Sequence, residues 1–175
     1  QQLTNIRNPD LTEDAYMQVI ERKTAALFEA SSHSAAALAG ATPEQAEALR
    51  NYGLQIGLAF QLVDDVLDYE GSAEALGKNV GDDLAEGKVT LPLIVAIRDG
   101  TQEDAGFVRN AIRTGGLEHL DGTVEIVRRT NGLEYTMDRA RGCRDTALHQ
   151  AAILPPSTAR DAMIALAHAA VDRVS

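Results

Sequence analysis

The densest chemistry in this chain lies in ten residues: Phe60-Gln61-Leu62-Val63-Asp64-Asp65-Val66-Leu67-Asp68-Tyr69. Three carboxylates fall within five positions, framed by apolar side chains that demand burial on one side. On a helix Asp64 and Asp68 stand one turn apart, and Asp65 lies about 100° round from Asp64. Gln61 precedes Asp64 by three positions and Asp65 by four, on the same polar stripe. Acids this close repel one another unless a cation sits among them. A hard divalent ion with oxygen ligands, most simply Mg2+, is the natural neutraliser. A solvated acidic helix face is the plainer alternative.

Basic residues accompany the acids. Lys23-Thr24 sits inside the amphipathic run Tyr16 to Phe28. Lys78, Asn79 and Asp82 share a glycine-rich stretch, and Lys88 and Thr90 precede the next apolar run. Acids with several lysines, and no Ser-His or Cys-His pairing, point to metal plus phosphate: carboxylates hold a cation that bridges to phosphoryl oxygens, and lysines neutralise the remainder. The loop glycines do not form the phosphate-cradling pattern that ends in Gly-Lys-Ser/Thr.

The elements that must position these groups read as helices. Tyr16, Val19, Ile20, Lys23 and Leu27 have helical spacing from Thr12 onward, and Gly40 offers a stop. Thr42-Pro43-Glu44-Gln45 is a capping box, and its helix should run to about Tyr69. Gly53 and Gly57 inside it either admit a close neighbour or merely weaken it. Gly71, Gly77, Gly81 and Gly87 break regular structure between 70 and 88, where a loop or lid over the site is expected. Helices are expected again from Leu91 to about Arg98, from Thr101 to Gly115, over 118–130 and 133–152, and from Ser157 to about Val174. Strand signals are nearly absent.

The 175 residues suffice for one sizeable core, and 45% hydrophobic content is that of a globular protein. A net charge of −10 argues against a nucleic-acid surface. The single cysteine, Cys143, forms no internal disulfide and suits a reducing, cytoplasmic setting. Gln1-Gln2-Leu3 reads like the tail of an element already under way, so the natural protein is expected to extend toward the N-terminus.

Three groups of residues, in order, carry a resemblance. They are Tyr16…Lys23-Thr24-Ala25-Ala26-Leu27-Phe28, Gly57…Phe60-Gln61-Leu62-Val63-Asp64-Asp65-Val66-Leu67-Asp68, and Gly77-Lys78-Asn79-Val80-Gly81-Asp82-Asp83-Leu84…Gly87-Lys88…Thr90-Leu91-Pro92-Leu93. Together they resemble the C-terminal half of a trans-polyprenyl diphosphate synthase, most closely the bacterial octaprenyl and decaprenyl members that make quinone side chains. The resemblance implies an all-α, isoprenoid synthase-type bundle around a central cavity, with residues 1–175 forming the C-terminal part of a single domain. It implies a prenyltransferase that uses Mg2+ to condense isopentenyl diphosphate with an allylic diphosphate. Asp64 would be a direct metal ligand, with Asp65 and Asp68 close by or acting through water, and Asp82 would hold metal-bound water. Lys23, Lys78 and Lys88 would contact the allylic diphosphate, with Phe60 and Gln61 beside the substrate. Thr24 and Gln61 would turn oxygens toward the developing cation. A homodimer is expected, with at most peripheral membrane association through the product. The family's first aspartate-rich motif and its Gly-Gly-Lys-x-x-Arg segment are not in these residues. A non-catalytic prenyl-diphosphate-binding or regulatory subunit is therefore the alternative.

Overall fold

Local sequence rules set most element ends. The computed structural model describes residues 7–70 and 81–173, and every regular element among them is helical. Helix α1 (Glu13–Ile20) starts where the Thr12 hydroxyl accepts from the Ala15 amide, and Glu13 and Asp14 face the positive end of its dipole. A π-helical turn, Glu21–Ala25, follows, and α2 (Ala26–Leu38) continues from it. The α2 chain reverses at Gly40, whose φ of 68° is left-handed, and the Ala41 amide reaches back to the Ala36 carbonyl at 3.1 Å. A single helix over 12–40 was the expectation. The π turn interrupts it because the Ala26 amide bonds to Glu21, five residues back, a register that no residue preference encodes.

Helix α3 (Pro43–Glu70) opens with the expected capping box. The Gln45 amide donates to Thr42 Oγ1 at 3.3 Å, and the Thr42 amide donates to Gln45 Oε1 at 3.1 Å. After it come one helical turn α4 (Asp82–Ala85), then α5 (Leu91–Asp99), α6 (Gln102–Thr114) and α7 (Leu120–Arg129). Helices α8 (Gly132–Ala152) and α9 (Thr158–Asp172) complete the series. Thr101 and Asp104 cap α6 reciprocally, and Ser157 caps α9 through the Arg160 amide. Apart from α4, which lies where only a loop or lid was expected, these bounds fall within a residue or two of the expected ones, the usual spread at helix ends.

The chain divides into two compact units. One comprises Gln1–Val19 with Asp64–Met137, and the other Ile20–Val63 with Asp138–Ser175. In the first, α5, α6 and α7 pack on one another and α4 rests on α6. Leu91, Leu93, Val95, Val108, Ile112 and Val127 are wholly buried there. In the second, Tyr52, Ile56, Ala147, Ala151, Ala167 and Ala170 form the core, flanked by Phe28, Leu148, Met163 and Ile164. Alanine at so many core positions requires helices to lie close. The Tyr52 hydroxyl donates to the Met163 carbonyl at 2.8 Å, and burial pushes the phenol pKa up to about 12.

The two glycines of α3 show how close. A Cβ on Gly57 would stand 2.5 Å from the Ala25 Cα, and one on Gly53 would stand 2.4 Å from the Phe28 carbonyl oxygen. Close approach, not mere helix weakening, is their role. Gly57→Ala is therefore expected to destabilise the chain by about 1–3 kcal/mol, through overpacking against backbone. Helix propensity alone gives the opposite sign, a gain of about 1 kcal/mol. Chemical denaturation of the two proteins separates these outcomes.

Candidate functional site

The acids at the end of α3 are each handled differently. Asp65 is 2% exposed, and its Oδ2 accepts a short hydrogen bond from the hydroxyl of Tyr16, itself 3% exposed, on α1. Asp64 is half-buried. Asp68 is half-buried too, and the chain returning at Gly81 fastens to it twice. The Gly81 amide donates to its carbonyl at 2.9 Å, and the Asp83 amide donates to its Oδ2 at 3.2 Å. Burial, and then repulsion from Asp83 and Asp82, push the Asp68 pKa up to about 6, against the pull of those backbone bonds. Asp82, half-buried, opens α4.

Lys88 closes this segment. Its ammonium lies 3.0 Å from Asp83 Oδ1 and 2.7 Å from Glu86 Oε2, and its amide donates to the Asp83 carbonyl at 2.8 Å. Partial burial works against its charge, but bonds to Glu86 and Asp83 outweigh that and raise its pKa. Behind it Tyr69 is fully buried with its hydroxyl 3.4 Å from Thr90 Oγ1, and desolvation drives its pKa well up.

In the other unit, the π turn carries Lys23 on its exposed side and Thr24 half-buried. The Thr24 hydroxyl donates to Gln61 Oε1 at 2.9 Å. Phe60 is half-buried with its ring 5.8 Å from that of Phe28. The Arg173 guanidinium lies 4.0 Å over the Phe60 ring and donates to the Phe60 carbonyl at 2.6 Å.

Thus Thr24 and Gln61 come together, as do Asp68 and the 81–83 segment, while Lys88 is engaged by acids of its own loop. Lys78 and Asn79, and most of the expected lid, lie outside the described residues. Tyr16 and Asp83 bond to acids of α3, and Arg173 to Phe60, without having been singled out as site residues. Their partners lie 49, 15 and 113 positions away, so no local spacing signals them.

The donor set is one a hard cation accepts. Among the described residues no three His, Cys, Asp or Glu side chains gather into one cage. Magnesium does not require one: it is held by one or two carboxylates with water and substrate phosphate oxygens. Asp64 and Asp68, one turn apart, fit that need. Burial, and after it repulsion from Asp83 and Asp82, disfavour the charged form of Asp68. Among the described residues no helix is long and apolar enough to cross a membrane.

Among the described residues every regular element is helical, one helix end is rich in acids, and a π turn carries a lysine and a threonine. The chain belongs to the polyprenyl synthetase family, whose model matches residues 1–127. It is 49% identical to the octaprenyl diphosphate synthase of Escherichia coli over 173 residues, covering 98% of this chain and 54% of that protein. A polyprenyl synthase from Caulobacter crescentus, solved with calcium and isoprenyl diphosphate, superposes with a TM-score of 0.92 at 41% identity, over 99% of this chain and 54% of that one. A decaprenyl diphosphate synthase from Rhodobacter capsulatus gives 0.91 at 39% identity, over 99% and 54% of the two chains. The chain spans about half the length of the curated relatives it matches.

The charge on Asp68 has a measurable cost. A carboxyl with its pKa raised from 3.8 to about 6 holds its proton more tightly in the folded state. Its contribution to stability is therefore full below pH 4 and is lost as pH rises toward 6. In chelator at pH 7, Asp68→Asn is expected to be the more stable protein, by on the order of 1 kcal/mol once solvent screening of a half-exposed group is allowed for. The difference should shrink between pH 6 and pH 4. Thermal melts of both proteins across that range check it.

Proposed function

We propose that residues 1–175 are the C-terminal part of one synthase domain in a chain-elongating prenyltransferase. It would condense isopentenyl diphosphate with an allylic diphosphate to a long-chain product suited to quinone side chains. The observation that carries this reading is the acid-rich end of α3, in a chain so similar throughout to an octaprenyl diphosphate synthase. When bound, Mg2+ would assist departure of the allylic diphosphate.

Asp64 and Asp68 would hold that ion, with Asp82 on its water. Asp65, turned to Tyr16, would support them from inside the helix packing. Lys88, now on Asp83 and Glu86, has an ammonium that can exchange those carboxylates for diphosphate oxygens. Lys23 and Lys78 would bind the same anion. The Thr24 hydroxyl donates a hydrogen bond to Gln61 Oε1, which points its oxygen lone pairs away from that bond and toward where an electron-poor centre would form. Phe60 offers an apolar ring where water must be excluded. The double bond of isopentenyl diphosphate would attack the allylic cation, and loss of a proton would complete the step. A homodimer, a cytoplasmic site and a role in ubiquinone synthesis belong to the same reading.

The test is an assay of the full-length protein with isopentenyl diphosphate and farnesyl or geranylgeranyl diphosphate, followed by sizing of the product. A product of about eight to ten isoprene units is expected, as the relatives' chain lengths suggest. Asp64→Ala should lower turnover by orders of magnitude with a native circular dichroism spectrum, because the lost interaction belongs to the transition state. Activity within a few-fold of wild type would remove Asp64 from the metal.

A further inference from the structure

We infer that Tyr16 is a positioning residue for the acid-rich motif: through Asp65 it sets the rotation of the end of α3, and so where Asp64 and Asp68 present their carboxylates. This rests on the reading of those two acids as metal ligands. Tyr16 and Asp65 are both almost entirely buried, at 3% and 2% exposure, and the phenol donates to Asp65 Oδ2. Two helices far apart in the chain are thereby joined by one directional bond, 49 residues apart in sequence.

The choice of residues needs explaining. Asp65 sits between Asp64 and Val66 on a helix whose buried positions nearby are Leu62, Val63, Val66 and Tyr69. A leucine at 65 would continue that apolar surface at no electrostatic cost, whereas a carboxylate must be desolvated and then satisfied. Apolar packing holds two helices together but tolerates small rotations. A hydrogen bond to a buried carboxylate is directional, and a small rotation of either helix spoils its geometry.

The helical repeat makes that rotation matter. Asp65 is about 100° round from Asp64 and about 60° from Asp68, so fixing one inward fixes the other two at the boundary of the packed surface. Both are in fact half-buried. Partners behind the ligands commonly set metal affinity by orienting them. Here the partner acts one residue removed, through the helix backbone.

The probe is Mg2+ with inorganic diphosphate, titrated calorimetrically into the full-length protein and into three variants. Tyr16→Phe removes a single hydroxyl. It should keep a cooperative melt without ligand and weaken binding by about tenfold or more. Asp65→Asn keeps an oxygen for the phenol and should bind within a few-fold of wild type, whereas Asp65→Leu should lose affinity as Tyr16→Phe does. The Asp65 pair decides the matter even where Tyr16→Phe fails to fold. Binding by a folded Tyr16→Phe within twofold of wild type overturns the inference, as does equal binding by Asp65→Asn and Asp65→Leu. Asp64→Ala is the control. Lost binding there with intact binding in Tyr16→Phe sinks the positioning role alone. Intact binding in Asp64→Ala removes the metal reading, and the positioning role with it.

Discussion

Crowded negative charge at one helix end is the constraint around which the first unit is organised. Asp64, Asp65 and Asp68 occupy little more than one turn, and Asp82 and Asp83 arrive beside Asp68 when the chain returns. Each acid meets a different fate. Asp65 is buried on a phenol, Asp83 is paired with Lys88, and Asp68 receives an amide but still titrates near pH 6. Asp65 is thus taken into the packed interior, while Asp64 and Asp68 stay half-buried at its boundary. Under the proposed function, a cation arriving with a diphosphate would add counter-charge there.

The second unit meets a different requirement, a backbone held very close to backbone. Gly53 and Gly57 let α3 approach the segment containing Ala25 and Phe28 to distances that forbid a side chain. The π turn lies at that approach, and it widens the helix by one residue where Thr24 meets Gln61. An α-helical register would shift every residue after it by about 100°. The alternation of exposed Lys23, half-buried Thr24 and buried Ala25 depends on the π register being kept. Such turns are retained mainly at functional positions, since their hydrogen-bond geometry is poorer than that of the α-helix.

Much of this was legible from the residues alone. Capping at Thr42, Thr101 and Ser157 is local chemistry, and so is the reversal at Gly40. Those ends came out within a residue or two because only a few neighbouring side chains decide them. The acid motif was legible because its spacing matches the helix repeat. Three things were not. The π turn has no compositional signal, since its five residues, Glu-Arg-Lys-Thr-Ala, suit an α-helix equally well. The partnership of Tyr16 with Asp65 depends on how two helices pack. The bonds of Lys88 to Asp83 and Glu86 were allowed by its sequence position but not required by it.

That last pairing bears on how the chemistry would be timed. A lysine already paired with carboxylates is less free to draw in any stray anion. Its ammonium transfers to a diphosphate only if the new partner offers more charge than Asp83 and Glu86 together provide at that distance. On the proposed function, a diphosphate carrying its metal ion would meet that demand and also engage Asp64 and Asp68, so exchange at Lys88 and neutralisation at the acids would favour each other. A lone phosphate brings no cation to the acids and gains only the first of these terms. Recognition in the first unit would then select the metal-bound diphosphate as one species, through the acids of α3 and Lys88 together.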